Sequence, residues 1–139
     1  DELLNRVGCL TDDEFKMIKI HPVIGANILK DISYFGVARE FVKYHHEKYD
    51  GTGYPERLQG EMIPFGARII TLADSFDAMT SERSYRKKMS TEEALLEVRR
   101  CAGTHFDPGL AEAFVQCWQK TNSQVPYNAL LEVATSIDK

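Results

Sequence analysis

His45-His46-Glu47-Lys48-Tyr49-Asp50-Gly51-Thr52-Gly53-Tyr54-Pro55 is the run around which this chain is organised. Upstream of it, Gly36 opens a segment in which Val37, Phe41, Val42 and Tyr44 form an apolar stripe at helical spacing, and the two histidines lie near its end. Downstream, Gly51, Gly53 and Pro55 cannot continue a helix, so Asp50 to Pro55 reads as a tight loop that exposes backbone. Adjacent helix positions point about 100° apart, so the two imidazoles cannot both face one core. They suit two ions lying side by side, or one ion and its bound anion.

Working outward, Tyr49 to Pro64 is a long loop for a compact domain, and loops of that length are usually functional. Phe65 to about Thr80 is apolar nearly all round (Ile69, Ile70, Leu72, Ala73, Phe76, Ala78, Met79), which predicts a central, buried helix. Asp74 and Asp77 lie within it, one turn apart on a shared side. Ser81 to Met89 is a basic turn carrying Arg83 and Arg86. Ser90-Thr91-Glu92-Glu93 caps a further helix to about Ala102, stopped by Gly103. Asp107-Pro108 starts another, with Leu110, Ala113, Phe114, Cys117 and Trp118 as its expected buried stripe. Tyr127 to Ile137 has the pattern of one more short helix.

Towards the N-terminus, Thr11 and Glu14 form a capping box for a helix with Phe15, Ile18, Val23, Ile24 and Ile28 at helical spacing. Pro22 is expected to cut that helix just after His21. Asp1 to Cys9 has few apolar anchors and reads as the end of something rather than a beginning. No alternating strand pattern occurs, and the predicted class is all-α.

The chain has 139 residues, enough for one domain, 1–139, with 121–139 as a peripheral extension. A net charge of −4 weighs against non-specific binding to nucleic acid or an anionic membrane. No apolar run reaches the roughly 18 residues that span a bilayer, and no signal peptide is present, so a cytoplasmic protein is expected. Cys9, Cys101 and Cys117 are odd in number and widely spaced, which predicts buried, reduced thiols rather than disulfides or a zinc–cysteine site.

Chemistry concentrates on few residues. A carboxylate buried in an apolar helix needs a partner, so Asp74 implies a metal, a cation or an arginine such as Arg68. His105 is expected to be a turn or packing residue, and His21 on its own to sit at a helix break. Imidazoles with a carboxylate and no thiolate suit zinc, iron or manganese. Mixed His/Asp ligation of paired ions is the usual equipment for phosphoester hydrolysis, in which ions acidify a water and neutralise phosphate charge. Arg83 and Arg86 then either complement phosphate oxygens or belong to a solvated basic loop.

The run HHEKYDGTGYP, with GEMIPFGARIITLADSFDAMTSERSYRKKMS and GTHFDP after it, resembles the HD-GYP family over Leu3 to about Trp118. These are bacterial metal-dependent phosphodiesterases of cyclic di-GMP within the HD phosphohydrolase superfamily. The resemblance implies an HD-type helical bundle and a cyclic dinucleotide substrate. It also implies two or three divalent metal ions, with iron or manganese favoured over zinc. His21, His45, His46 and Asp74 match metal ligands, and His45, His46 and Asp74 thereby carry the catalysis. Tyr54, Asp77, Arg83 and Arg86 match positions that contact the dinucleotide. The family's His-Asp dyad and its lysine have no match here. The expectation is therefore the C-terminal portion of such a domain, with weak metal binding and little or no activity on its own. The rival expectations are a module docking a GGDEF-type partner through an exposed Gly53-Tyr54-Pro55 loop, and an HD hydrolase of another phosphoester. Homodimerisation through exposed apolar surface is a further expectation.

Overall fold

The computed structural model of the chain describes residues 11–31, 36–82 and 87–124. Three of its helices begin where a side chain supplies acceptors for their first N–H groups. The Thr11 Oγ accepts from the Glu14 N–H while the Glu14 carboxylate accepts from the Thr11 N–H, and helix α1 runs Asp12–Ile28. Ser90 and Glu93 repeat this reciprocal cap for α4, Thr91–Arg100. Asp107 Oδ1 accepts from the N–H groups of Gly109 and Leu110, opening α5, Pro108–Gln124. Between them lie α2, Gly36–Tyr44, and α3, Phe65–Thr80, with short 3₁₀ turns at Leu29–Asp31 and Gly60–Met62. Among the described residues there is no strand, only an isolated bridge between Ala102 and Phe106. The all-α expectation holds.

Each helix packs on the next in sequence, and α3 also meets α5. This makes α3 the shared wall of two apolar clusters. On one side Leu72, Phe76 and Met79 pack with Ala94 and Val98 of α4, Phe106, and Ala111 and Val115 of α5. On the other, Ala67 packs with Tyr44 of α2 and Ile63 of the long loop. Gly66 lets α3 approach α2 closely, because a Cβ there would lie 2.3–2.5 Å from the Phe41 ring. Across the first cluster, the Arg68 guanidinium meets the Asp107 carboxylate at 2.5 Å, with side chains only 13% and 12% exposed. That pair ties α3 to the cap of α5.

Several expectations are corrected. Pro22 does not cut its helix: α1 passes through it, and the ring is fully buried. The reason is visible one residue back, where the His21 ring takes over the carbonyl that the proline leaves unpaired. Helix α3 is central but not buried all round, since Phe65, Ile69 and Ile70 are exposed, and so is Asp74. Arg68 is spoken for by Asp107, so the expected alternative partner of Asp74 is not Arg68. The buried residues of α5 are Ala111 and Val115, flanked by Leu110, Phe114 and Trp118; Ala113 and Cys117 face outward. Cys117 is therefore an exposed thiol and Cys101 a half-buried one, not buried thiols. Cys9, Arg83, Arg86 and the helix expected over Tyr127 to Ile137 lie outside the described residues.

Two predictions follow from this packing. A methyl at Gly66 adds helix propensity worth at most about 1 kcal/mol but drives into an aromatic ring. Gly66→Ala should therefore lower stability by about 1–3 kcal/mol, read from urea denaturation. For Asp107, burial raises the carboxyl's pKa, but the N–H groups of Leu110 and Gly109 and the Arg68 guanidinium outweigh it and hold the group below its ordinary value. Its stabilisation is thus present above the unfolded pKa and fades as pH falls through the folded one. Asp107→Ala should cost about 3–5 kcal/mol at neutral pH, and it should flatten the loss of stability between about pH 5 and pH 2.

Candidate metal centre

Three histidines converge although they are far apart in sequence. His21 comes from the middle of α1, and His45 and His46 from the turn that ends α2. One nitrogen from each lies within 4.8 Å of the others. The His21 and His46 ring centroids are 4.8 Å apart, and those of His45 and His46 are 4.0 Å apart.

The tautomers follow from the backbone. Pro22 has no N–H, so it leaves the Ile18 carbonyl without its helical donor. The His21 Nδ1–H donates to that carbonyl at 2.5 Å. In the same way the His45 Nδ1–H donates to the Val42 carbonyl at 2.7 Å. A carbonyl only accepts, so Nδ1 carries a proton in both rings, and the neutral form of each ring keeps its lone pair on Nε2. The His21 Nε2 lies 3.1 Å from the His46 Nε2. Two lone pairs cannot face each other at that distance, so a proton on His46 or a cation must stand between them. Burial, followed by the charges of His45, His21 and His105, pushes the His46 pKa down to about 4, which favours the neutral ring. The donor set thus fits a divalent metal, through imidazole nitrogens of which those of His21 and His45 are oriented by backbone carbonyls behind the rings.

Tyr54 closes one side. Its ring stacks on His46 with centroids 4.9 Å apart and planes inclined by 22°. Burial raises the Tyr54 phenol pKa, and the charge of Asp74 adds to it, so Asp74 lies within electrostatic reach of the same place. Asp74 is nevertheless outside the three-histidine group. The exposed Asp77 carboxylate accepts from the Ser81 hydroxyl at 3.1 Å, at the end of α3. Lys19 adds a cation at the rim, its Nζ 4.5 Å from the Phe15 ring centroid and 5.8 Å from that of Tyr54. His105 stacks on Phe106 in a turn, as its sequence context predicts.

The Gly53-Tyr54-Pro55 segment packs back on its own chain, with Tyr54 and Pro55 half-buried. Gly53 is buried, and a Cβ on it would lie 2.3 Å from the Lys48 nitrogen and 2.5 Å from the Glu47 Cα. The Tyr54 N–H donates to the His46 carbonyl, so the loop folds back along the segment that carries the histidines. Two residues that hold this arrangement escaped the sequence reading. Glu47 is 1% exposed, and its carboxylate accepts from the Glu56 and Leu58 N–H groups at 2.7 and 3.1 Å. The Thr71 hydroxyl of α3 lies 2.7 Å from the His45 carbonyl oxygen and 2.8 Å from that of Ala67. Glu47 sits inside the decisive run, but nothing local shows that it turns inward; Thr71 gives no signal at all.

Comparison with known proteins places these features in a family. A family model described as HD domain matches residues 1–110. A cyclic di-GMP phosphodiesterase of Vibrio cholerae is 42% identical over 127 residues, covering 86% of this chain and 26% of that protein. A 3′3′-cGAMP-specific phosphodiesterase 2 of the same organism is 38% identical over 122 residues, covering 86% and 23%. The crystal structure of a cyclic GMP-AMP specific phosphodiesterase of Vibrio cholerae superposes with a TM-score of 0.67 at 30% identity, covering 79% of this chain and 25% of that one. The chain thus spans about a quarter of the length of these relatives. Among the described residues no helix is long and apolar enough to cross a membrane. The matched model, the shared helical fold and the histidine-bearing run agree: the chain belongs to the HD domain family, and the HD-GYP resemblance of its sequence stands.

Proposed function

We propose that this chain is the part of a metal-dependent cyclic dinucleotide phosphodiesterase that supplies its histidine ligands and one nucleotide-facing loop. The observation that carries the reading is the set of three converging imidazoles, two of them with Nε2 freed by Nδ1–H bonds to backbone carbonyls. His21, His45 and His46 would hold a divalent ion, with Asp74 contributing a carboxylate from α3. The imidazole and carboxylate donor set suits zinc, iron or manganese; two or three ions, with iron or manganese before zinc, are what the HD-GYP resemblance implies. A bound divalent metal supplies an acidified water and neutralises charge on the phosphodiester.

The chain's own residues orient the substrate. Tyr54, packed against His46, offers its outer face to a purine or ribose. Asp77, one turn beyond Asp74, offers an acceptor to nucleotide N–H or O–H groups. Arg83 and Arg86 are proposed to bind phosphate oxygens. The named relatives act on cyclic di-GMP and on 3′3′-cGAMP, and both share the doubly charged cyclic diester that such a site accommodates. A docking role for the Gly53-Tyr54-Pro55 loop gains no support from a loop whose glycine is buried.

The test begins with metal. The chain is titrated with Mn²⁺ while free Mn²⁺ is followed by electron paramagnetic resonance. His45→Ala and His46→Ala should each weaken binding by at least the roughly 10–100-fold that loss of an outer-shell partner brings. Equilibrium dialysis of the Mn²⁺-loaded chain should then show retention of cyclic di-GMP or 3′3′-cGAMP, reduced by Tyr54→Ala. Unchanged Mn²⁺ uptake after all three histidines are replaced would sink the reading, as would loaded protein that retains neither nucleotide.

A further inference from the structure

The loop that places Tyr54 over His46 is anchored at its far end by Leu58 and Ile63, packed with Tyr44 and Ala67, but has few apolar side chains before them. Of the stretch Glu47–Gln59, the side chain that goes fully inward is not apolar but the Glu47 carboxylate. Its two oxygens have separate tasks: Oε1 takes the Glu56 N–H and Oε2 takes the Leu58 N–H. These are the residues just past Tyr54-Pro55, so the carboxylate grips the return limb of the loop. The outgoing limb is held elsewhere, by the Gly53 contact and the Tyr54 N–H bond to the His46 carbonyl. The Glu56 side chain turns the other way, to Lys43 and the Tyr44 hydroxyl. Glu47 therefore links the residue next to His46 with the limb that follows Tyr54.

We propose that Glu47 is a positioning residue whose buried carboxylate clamps the loop, so that the Tyr54 ring stays stacked on His46 and keeps water off that face of the imidazole. The proposal rests on the metal-site reading for its significance, but the contact itself involves no metal. It explains how a carboxylate is buried here: burial is costly unless its lone pairs are satisfied, and amide N–H groups satisfy them. The side chain acts at a distance from substrate, through Tyr54 and His46.

The test reads the stacking directly. In the full metal-free chain with ¹³C-labelled histidine, the Tyr54 ring shields the His46 ring protons and moves their resonances upfield; Tyr54→Leu supplies the unshielded reference. Glu47→Ala should move the His46 resonances to the Tyr54→Leu positions while far-ultraviolet circular dichroism keeps its helical amplitude. Glu47→Asp should recover part of the shielding. A residue that only stabilised the fold would lower the unfolding midpoint and leave the folded-state resonances in place, so unchanged His46 shifts in folded Glu47→Ala overturn the proposal. If that variant does not fold, Glu47→Gln is read in the same way: it keeps one acceptor oxygen and should lose part of the shielding, and full shielding overturns the proposal. Failure of the chain to bind Mn²⁺ would undo the functional reading without touching this result. Where Mn²⁺ does bind, Glu47→Ala should weaken it by roughly tenfold, as loss of an outer-shell support does.

Discussion

The arrangement depends on one constraint: the backbone must double back on itself directly after the histidine pair. At Gly53 two strands of chain pass so close that a side-chain carbon would fall 2.3 Å from the Lys48 nitrogen. Such an approach is open only to glycine. Once made, it aims Tyr54 at His46 and brings two amides over the Glu47 carboxylate. Amide N–H groups are satisfied, a carboxylate is satisfied, and a half-buried imidazole gains an aromatic cover, all from one reversal. Loosening the reversal would leave several buried polar groups unpaired at once.

The other half of the site comes from α1, and there a helix-breaking residue serves a second purpose. Pro22 deprives the Ile18 carbonyl of its donor, and the neighbouring imidazole supplies one. The bond repairs the helix and at the same time commits the His21 proton to Nδ1. His45 meets the same fate through the Val42 carbonyl, at the point where α2 runs out of N–H donors. In both places a defect of helix geometry is what sets the tautomer. The Thr71 hydroxyl then ties the His45 carbonyl to α3, the helix that also carries Asp74.

Much was legible beforehand because it is local. Thr11 with Glu14, Ser90 with Glu93, and Asp107 with Pro108 each announce a helix start within four residues, and each helix begins there. The loop between α2 and α3 was legible from its glycines and prolines. The inward face of each helix was less so. Cys117 and Ala113 belong by type to a core, yet α5 turns Ala111 and Val115 inward, into the cluster that holds Phe76 and Val98. Likewise the apolar surroundings of Asp74 in sequence suggest burial, whereas α3 keeps one side open and places it there.

By itself the sequence determined the class, the helix starts, the turn that carries His45 and His46, and, by resemblance, the family. These depend on capping chemistry, periodicity and a long specific motif, all of which act over a few residues. Only the tertiary structure decided that His21 meets His46 across 25 positions, that Arg68 is used by Asp107 and so is not Asp74's partner, and that Glu47 turns inward to hold the loop. Each of those outcomes depends on which side chains and backbone groups of separate segments the fold brings together. No local pattern carries that information, because the partner does not exist until the chain has folded.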